Sequence, residues 1–321
     1  MPTGVGSAVL RSLAAGATVA VLIAAVDAQE GANALEELGD YSIAFTSDRS
    51  GADEIWAIEA DGSGLRQLTH TGSSQGDGDP SWSPDGRRIA FNTYRFGGWK
   101  LGVMAADGSD VRRLTDNARS VYEGSAEWSP SGTHIAFMRY RSEQGIWVAA
   151  ADGTGARRLI DNGTSYYTNA QPSWAPDGQS LLYVSRVDGH YDIWTVRVDG
   201  SGARPISQTG ADDLSPLMSP DGSRILFYSN RTGPFETYVM DADGGNVVPL
   251  TSSGGNSGRL EEGPSGADSL NPSWSPDGRF IAYVQHGEHG RAIWIARPDG
   301  SGARRLSDDL AENYDPTWIR R

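Results

Sequence analysis

One phrase recurs along this chain at a near-constant interval, and that period limits the possible folds more than any other feature. PSWSPDGRRIAF begins at Pro80. Its relatives are AEWSPSGTHIAF at Ala126, PSWAPDGQSLLY at Pro172, PLMSPDGSRILF at Pro216 and PSWSPDGRFIAY at Pro272. The aligned positions Trp82, Trp128, Trp174, Met218, Trp274 and Trp318 are spaced by 46, 46, 44, 56 and 44 residues. A unit of this length is too short for a domain and suits one small sheet that must bury its faces against copies of itself.

Each unit reads as four short strands. The first ends in Pro-Asp-Gly, where Pro presets φ, Asp suits the turn and Gly takes the left-handed position. The second (Ile89-Ala90-Phe91, Ile225-Leu226-Phe227) is apolar on both faces, as a strand between stacked sheets must be. The third (Ile146-Trp147, Ile193-Trp194, Ile293-Trp294) ends in an Asp-Gly hairpin, and the fourth carries exposed arginines such as Arg112-Arg113 and Arg304-Arg305. Charge on an outermost strand guards it against pairing with other chains, so we read these arginines as edge protection. Five units are complete. The sixth is split between Tyr41–Thr69, which lacks a first strand, and Asp315-Pro316-Thr317-Trp318, which is a first strand alone. The expected fold is all-β: a six-bladed β-propeller of four-stranded antiparallel blades, its ring closed by the C-terminal strand joining the N-terminal blade over residues 41–321.

The succession PSWSPDG, IAF, SDR, IW, DGSG and RRLT resembles the WD40-like propeller repeat of TolB-like proteins, and the resemblance runs from Tyr41 to Trp318. It covers the propeller part only. TolB carries an α/β domain before its propeller, whereas a lead-in over 29–40 is all that is expected here. The resemblance implies a binding module whose channel mouth receives a partner protein.

The N-terminus reads as an export signal over residues 1–28. Arg11 precedes the uncharged run Ser12–Val26, followed by the small-residue site Val26-Asp27-Ala28. The run is short for a spanning helix, so no stable membrane span is expected after cleavage. The absence of cysteine fits a periplasmic or extracellular location. With 41 acids against 27 bases the net charge is −14, which argues against nucleic acid as a partner.

The stretch GDGDPSWSPDG (76–86) looks at first like a calcium loop. Counting from Asp77, however, position 5 is Ser81, position 6 is Trp82 and position 12 is Arg88, so the helix-loop-helix signature is absent. Antiparallel succession places the Pro-Asp-Gly and Asp-Gly turns on one face of the ring and the blade-to-blade loops on the other. Those loops (70–79, 116–125, 161–171, 208–215, 252–271, 308–315) hold fourteen acids and two bases, Arg119 and Arg259. Five and three residues before each aligned Trp stand Asp77 and Asp79, Glu123 and Ser125, Asn169 and Gln171, Asp213 and Ser215, Ser269 and Asn271, Asn313 and Asp315. All are polar, and we expect an electronegative lip around the channel. Whether Asp77 and Asp79 present charge or cap the ends of inner strands stays open at this point.

No histidine cluster, nucleophile elbow or positioned carboxylate pair emerges, so no catalytic or metal-ligating residue is assigned and no cofactor is expected. The reading is a monomeric, exported, non-enzymatic module that takes a basic protein segment or peptide of the cell envelope. Asp77, Asp79, Glu123, Asn169, Gln171, Asp213, Asn271, Asn313 and Asp315 form its lip, and Tyr122, Tyr166, Tyr167 and Tyr314 supply contact area. The alternatives are a metal-assisted lyase or hydrolase acting on a saccharide at the channel, and a purely structural channel cation such as calcium.

Overall fold

The computed structural model describes residues 38–72, 76–118, 120–162, 169–251 and 271–320. The expected signal peptide, most of the lead-in, Tyr166, Tyr167 and nearly all of the 252–271 insertion lie outside the described residues.

Six four-stranded sheets of purely antiparallel pairing form a six-bladed propeller. The inner strands are Asp77–Trp82, Tyr122–Trp128, Asn169–Trp174, Asp213–Met218, Ser273–Trp274 and, in the first blade, Asn313–Arg320. That last strand pairs with Tyr41–Ser47, Ile43 opposite Trp318, so the two ends of the repeat array complete one blade. The split repeat seen in the sequence is therefore the closure of the ring.

The core lies between blades. On the second strands Phe45, Phe91, Phe137 and Phe227 are fully buried, and Tyr183 and Tyr283 take the matching place in the other two blades. Ala44, Ile55 and Ala57 of the first blade pack with Ile89, Phe91 and Met104 of the next, and the pattern repeats around the ring. Each such aromatic contributes roughly 2–3 kcal/mol by leaving water.

Three of the five aligned tryptophans fasten neighbouring blades through their indole N–H, while those of Trp82 and Trp318 make no such bond. Trp128 Nε1 donates to the Ser81 carbonyl, Trp174 Nε1 to that of Glu127 and Trp274 Nε1 to that of Leu217, at 3.1–3.2 Å. Each acceptor lies directly before the aligned Trp or Met of the preceding blade. The Pro-Asp-Gly turns close as expected: Gly86 N–H donates to the Ser83 carbonyl at 2.8 Å, and Gly86 sits at φ +69°. They lie at the end of the inner strands opposite the blade-to-blade loops, so the lip depends on how those strands begin.

Candidate functional site at the channel

Inner strands do not begin as regular strands. In five blades the pairing register slips beside the residue three before the aligned position: between Gly78 and Ser81, Gly124 and Glu127, Ala170 and Ser173, Leu214 and Leu217, and opposite Ala44 and Thr46. At each slip one residue adopts left-handed backbone. These are Asp79 (φ 52°), Ser125 (50°), Gln171 (52°), Ser215 (51°) and Asp315 (53°). A side chain at such a φ costs about 1–2 kcal/mol, and its fivefold use at one place marks a built feature. A β-bulge re-aims a side chain, and here it turns these five side chains toward the axis. Together with Asn271 they line a central cavity of about 280 Å³.

Around the axis these residues bind their neighbours in pairs. Ser125 donates to the Asp79 carboxylate from both its backbone N–H and its hydroxyl. Ser215 N–H donates to Gln171 Oε1 at 2.8 Å, and Asn271 Nδ2 to Asp315 Oδ1 at 3.1 Å. Asp79 also accepts from Asn92 Nδ2 at 3.1 Å, while its own N–H donates to Thr46 Oγ1 at 3.0 Å. Gly78 beside it keeps the approach close: a Cβ there would stand 3.2 Å from two side-chain atoms of Thr46, which would have to give way slightly.

The residues five before the aligned position behave differently. Asp77, Glu123, Asp213 and Asn313 are 0–1% exposed. Each is held by an arginine of its own blade. Arg95 clamps Asp77, Arg139 Nε donates to Glu123 at 3.1 Å, Arg231 to Asp213 at 2.8 Å and Arg49 to Asn313 at 2.7 Å. Three of these guanidinium groups also lie over an aromatic ring of the third strand: Arg49 over Trp56, Arg139 over Trp147 and Arg231 over Tyr238, at 5.1, 3.9 and 5.1 Å. Arg95 and Arg231 of the strand two-to-three loops, and Arg139 at the end of a second strand, are thus spent on acids at the start of the inner strands. Asn169 opens its inner strand opposite Ser185.

Of the tyrosines, Tyr122 is half-buried, its ring 4.2 Å beneath the Arg141 guanidinium. Tyr314 is also half-buried, and its hydroxyl is tied to Asp53 and raised in pKa by burial first and by that bond second.

A carboxylate that the lip alignment passed over also lines the cavity. Glu127 stands directly before Trp128, where the other units have Ser81, Ser173, Leu217, Ser273 and Thr317. Burial pushes its pKa up to about 8, with the charge of Asp79 adding to the shift and the Trp174 backbone opposing it. Burial likewise pushes Asp79 up to about 6, against the hydrogen bonds from Ser125 and Asn92. Among the described residues neither Asp79 nor Glu127 forms an ion pair with Arg or Lys. The signal for Glu127 was present in the sequence as the lone acid in an aligned column of hydroxyl and apolar residues. Among the described residues no group of three His, Asp or Glu side chains is spaced to hold a metal ion.

A six-bladed propeller with a polar, acid-bearing axial channel defines the class of protein. Within it, the family model described as TolB beta propeller domain matches residues 99–319, and the chain belongs to that family. It is 34% identical over 147 residues to the Tol-Pal system protein TolB of Anaeromyxobacter dehalogenans (strain 2CP-C); the aligned stretch covers 46% of this chain and 21% of that protein. The match therefore spans about a fifth of that curated relative. Among solved structures, TolB from Acinetobacter baumannii superposes with a TM-score of 0.73 at 19% identity, over 88% of this chain and 67% of that one. The putative TolB from Agrobacterium tumefaciens gives 0.60 at 19% identity, over 88% and 99%. At these identities the superpositions speak for the fold. No helix among the described residues is long and apolar enough to cross a membrane.

Proposed function

We propose that this chain is an exported protein-interaction module, similar to the Tol-Pal system protein TolB, which binds a basic segment of an envelope protein at its channel. The observation that carries this reading is the pair of channel-facing carboxylates, Asp79 and Glu127, which no Arg or Lys of the described residues neutralises, beside Asp315 in the same cavity. Asp77, Glu123 and Asp213 contribute to the field of the lip through already paired charges, so the attraction centres on the inner ring. A low-dielectric site strengthens the pull of the Asp79 carboxylate on a cation, and Glu127, its pKa pushed up to about 8, adds charge only where it ionises. The cavity of about 280 Å³ lies at the lower edge of the usual size of a small-molecule site, which suits a side chain reaching in from a larger partner.

The test is affinity capture from envelope extract with the wild type and with a variant carrying Asp79→Asn and Asp315→Asn. A protein retained by the wild type, lost by the variant and released by raised salt is the expected result. Equal retention by both chains, or retention indifferent to salt, would sink the proposal.

A further inference from the structure

The Pro-Asp-Gly turns, on the face opposite the lip, share one arrangement, and a single turn departs from it. Ser83 Oγ and Arg87 N–H both donate to Asp85, at 2.6 and 3.1 Å. Ser219 Oγ and Ser223 N–H hold Asp221 at 2.6 and 3.0 Å, and Ser275 Oγ and Arg279 N–H hold Asp277 at 2.7 and 3.1 Å. Asp177 accepts the Gln179 N–H at 2.8 Å. These donors favour a carboxylate: the Ser219 hydroxyl first and the Ser223 N–H second lower the pKa of Asp221 to about 2. In the third blade, whose inner strand is Tyr122–Trp128, the aligned residue is Ser131. Its hydroxyl lies 2.7 Å from Thr133 Oγ1 and 3.2 Å from Ser129 Oγ, and the Thr133 N–H finds no acceptor among the described residues. A donor that the sister turns close with a carboxylate is open here.

Thr133 belongs to the rim of a cleft of about 550 Å³ between the third and fourth blades, with Ser131, His134 and Arg157, and all four residues are exposed. That size is ordinary for a small-ligand site. Strand pairing aims Arg157 and His134 at the cleft. Arg157 stands opposite Val148 and Val148 opposite Ala136, two residues after His134, so both side chains leave one face of the blade. One Nη of Arg157 donates to the Val198 carbonyl of the fourth blade, which fixes the guanidinium across the cleft. Its other N–H groups meet no carboxylate among the described residues. The one acid of the wall, Asp177, is engaged by its own turn. The aligned cleft between the fifth and sixth blades carries Asp221, Asp277 and Asp299 and holds about 360 Å³. The departure from the repeat thus coincides with fewer acids and a larger space.

We propose that this cleft binds the carboxylate of an amino-acid-sized ligand, held by the Thr133 N–H and the Arg157 guanidinium in place of the Asp that the third blade lacks. A charged acceptor makes such hydrogen bonds shorter and stronger than neutral ones, and the guanidinium fork matches a planar carboxylate. The hydroxyls of Ser131 and Thr133 and the ring of His134 line the approach. The site lies on the face opposite the lip, so it stands or falls apart from the partner reading.

The test is an amide NMR titration of the full chain with acetyl-Asp-amide, with neutral acetyl-Asn-amide, inorganic phosphate and the peptide acetyl-Gly-Gly-Asp-Gly-Gly-amide as comparison ligands. We expect the Thr133 amide proton to move downfield and saturate with acetyl-Asp-amide and to stay in place with acetyl-Asn-amide. Arg157→Gln should weaken binding about tenfold. Because Arg157→Gln also gives up the bond to Val198, Ser131→Asp serves as the second variant. It supplies the turn with the carboxylate of its sisters, so it should keep the wild-type melting temperature or raise it while binding falls about tenfold or more. Ser131→Ala, which adds no charge, should bind within about threefold of the wild type. Binding of the peptide as tightly as of acetyl-Asp-amide would place the carboxylate on an acidic side chain of another protein, and binding of acetyl-Asp-amide alone would assign a free small acid. Equal shifts with the Asp and Asn amides, tighter binding of phosphate than of acetyl-Asp-amide, or full binding by Ser131→Asp would each overturn the proposal.

Discussion

Two rings of polar residues encircle this propeller, one five and the other three residues before each aligned Trp. Asp77 belongs to the first and Asp79 to the second, with a single glycine between them. The outer ring is buried and clamped by arginines: Asp77, Glu123 and Asp213 sit at 0–1% exposure with a guanidinium each. The inner ring is turned to the axis by left-handed backbone and binds its own neighbours around the channel. Charge of one type, two positions apart, therefore serves the blade in one case and the channel in the other. Local net charge is a poor guide to a binding surface when the bases that cancel it come from another loop.

The sharpest way to break this comparison is to remove an arginine of the outer ring. Arg139→Ala leaves Glu123 buried without its guanidinium, and removing one partner of a buried pair costs about 3–5 kcal/mol. Urea denaturation should show that loss; a change under about 1 kcal/mol would mean the ring is not structural.

A smaller effect separates Glu127 from the clamped acids. Its folded pKa, near 8, lies above the ordinary 4.5, so the folded chain keeps a proton that the unfolded chain has released. Stability from this group is fully present below about pH 4.5 and is lost as pH rises toward about 8. Glu127→Gln should remove that part of the decline, on the order of 2 kcal/mol in favour of the variant at pH 8 once the upper bound of about 4–5 kcal/mol set by the pKa gap is reduced for the partial exposure of the side chain, read as denaturation midpoints across the range. A decline as steep as that of the wild type would refute the assignment.

Arg95→Ala should cost less than Arg139→Ala, about 1–2 kcal/mol, because Arg95 is 28% exposed where Arg139 is 7%, and water can partly replace it. The same denaturation series ranks the two, and a reversed order would show that exposure does not govern the clamps. The smallest change in stability belongs to the inner ring. Asp79→Gly relieves a side chain at φ 52° but gives up the bonds from Asn92 and Ser125, so the two effects should leave a net change within about 1 kcal/mol. Partner capture by the same variant should nevertheless drop, which would separate function from fold on this ring.

Much of this architecture was legible in the chain itself. The recurrence of PSWSPDG, its spacing and the split sixth unit determine six blades and their closure, because each unit buries its faces only against another copy. The Arg clamps left a trace too. Ser47-x-Arg49, Thr93-x-Arg95 and Ser229-x-Arg231 recur in the units that carry Asn313, Asp77 and Asp213. Glu127 stood out in its column, yet the alignment looked three and five residues before Trp and not one.

Only the tertiary structure decided which acids meet an arginine. Arg95 lies 18 residues from Asp77 in sequence and reaches it through the pairing of the first and second strands. Arg49 reaches Asn313 across 264 residues, through ring closure. Composition records that bases and acids exist; which of them meet depends on register. A bulge shifts that register by one residue, and this shift sends Asp77 inward to its arginine and Asp79 to the axis.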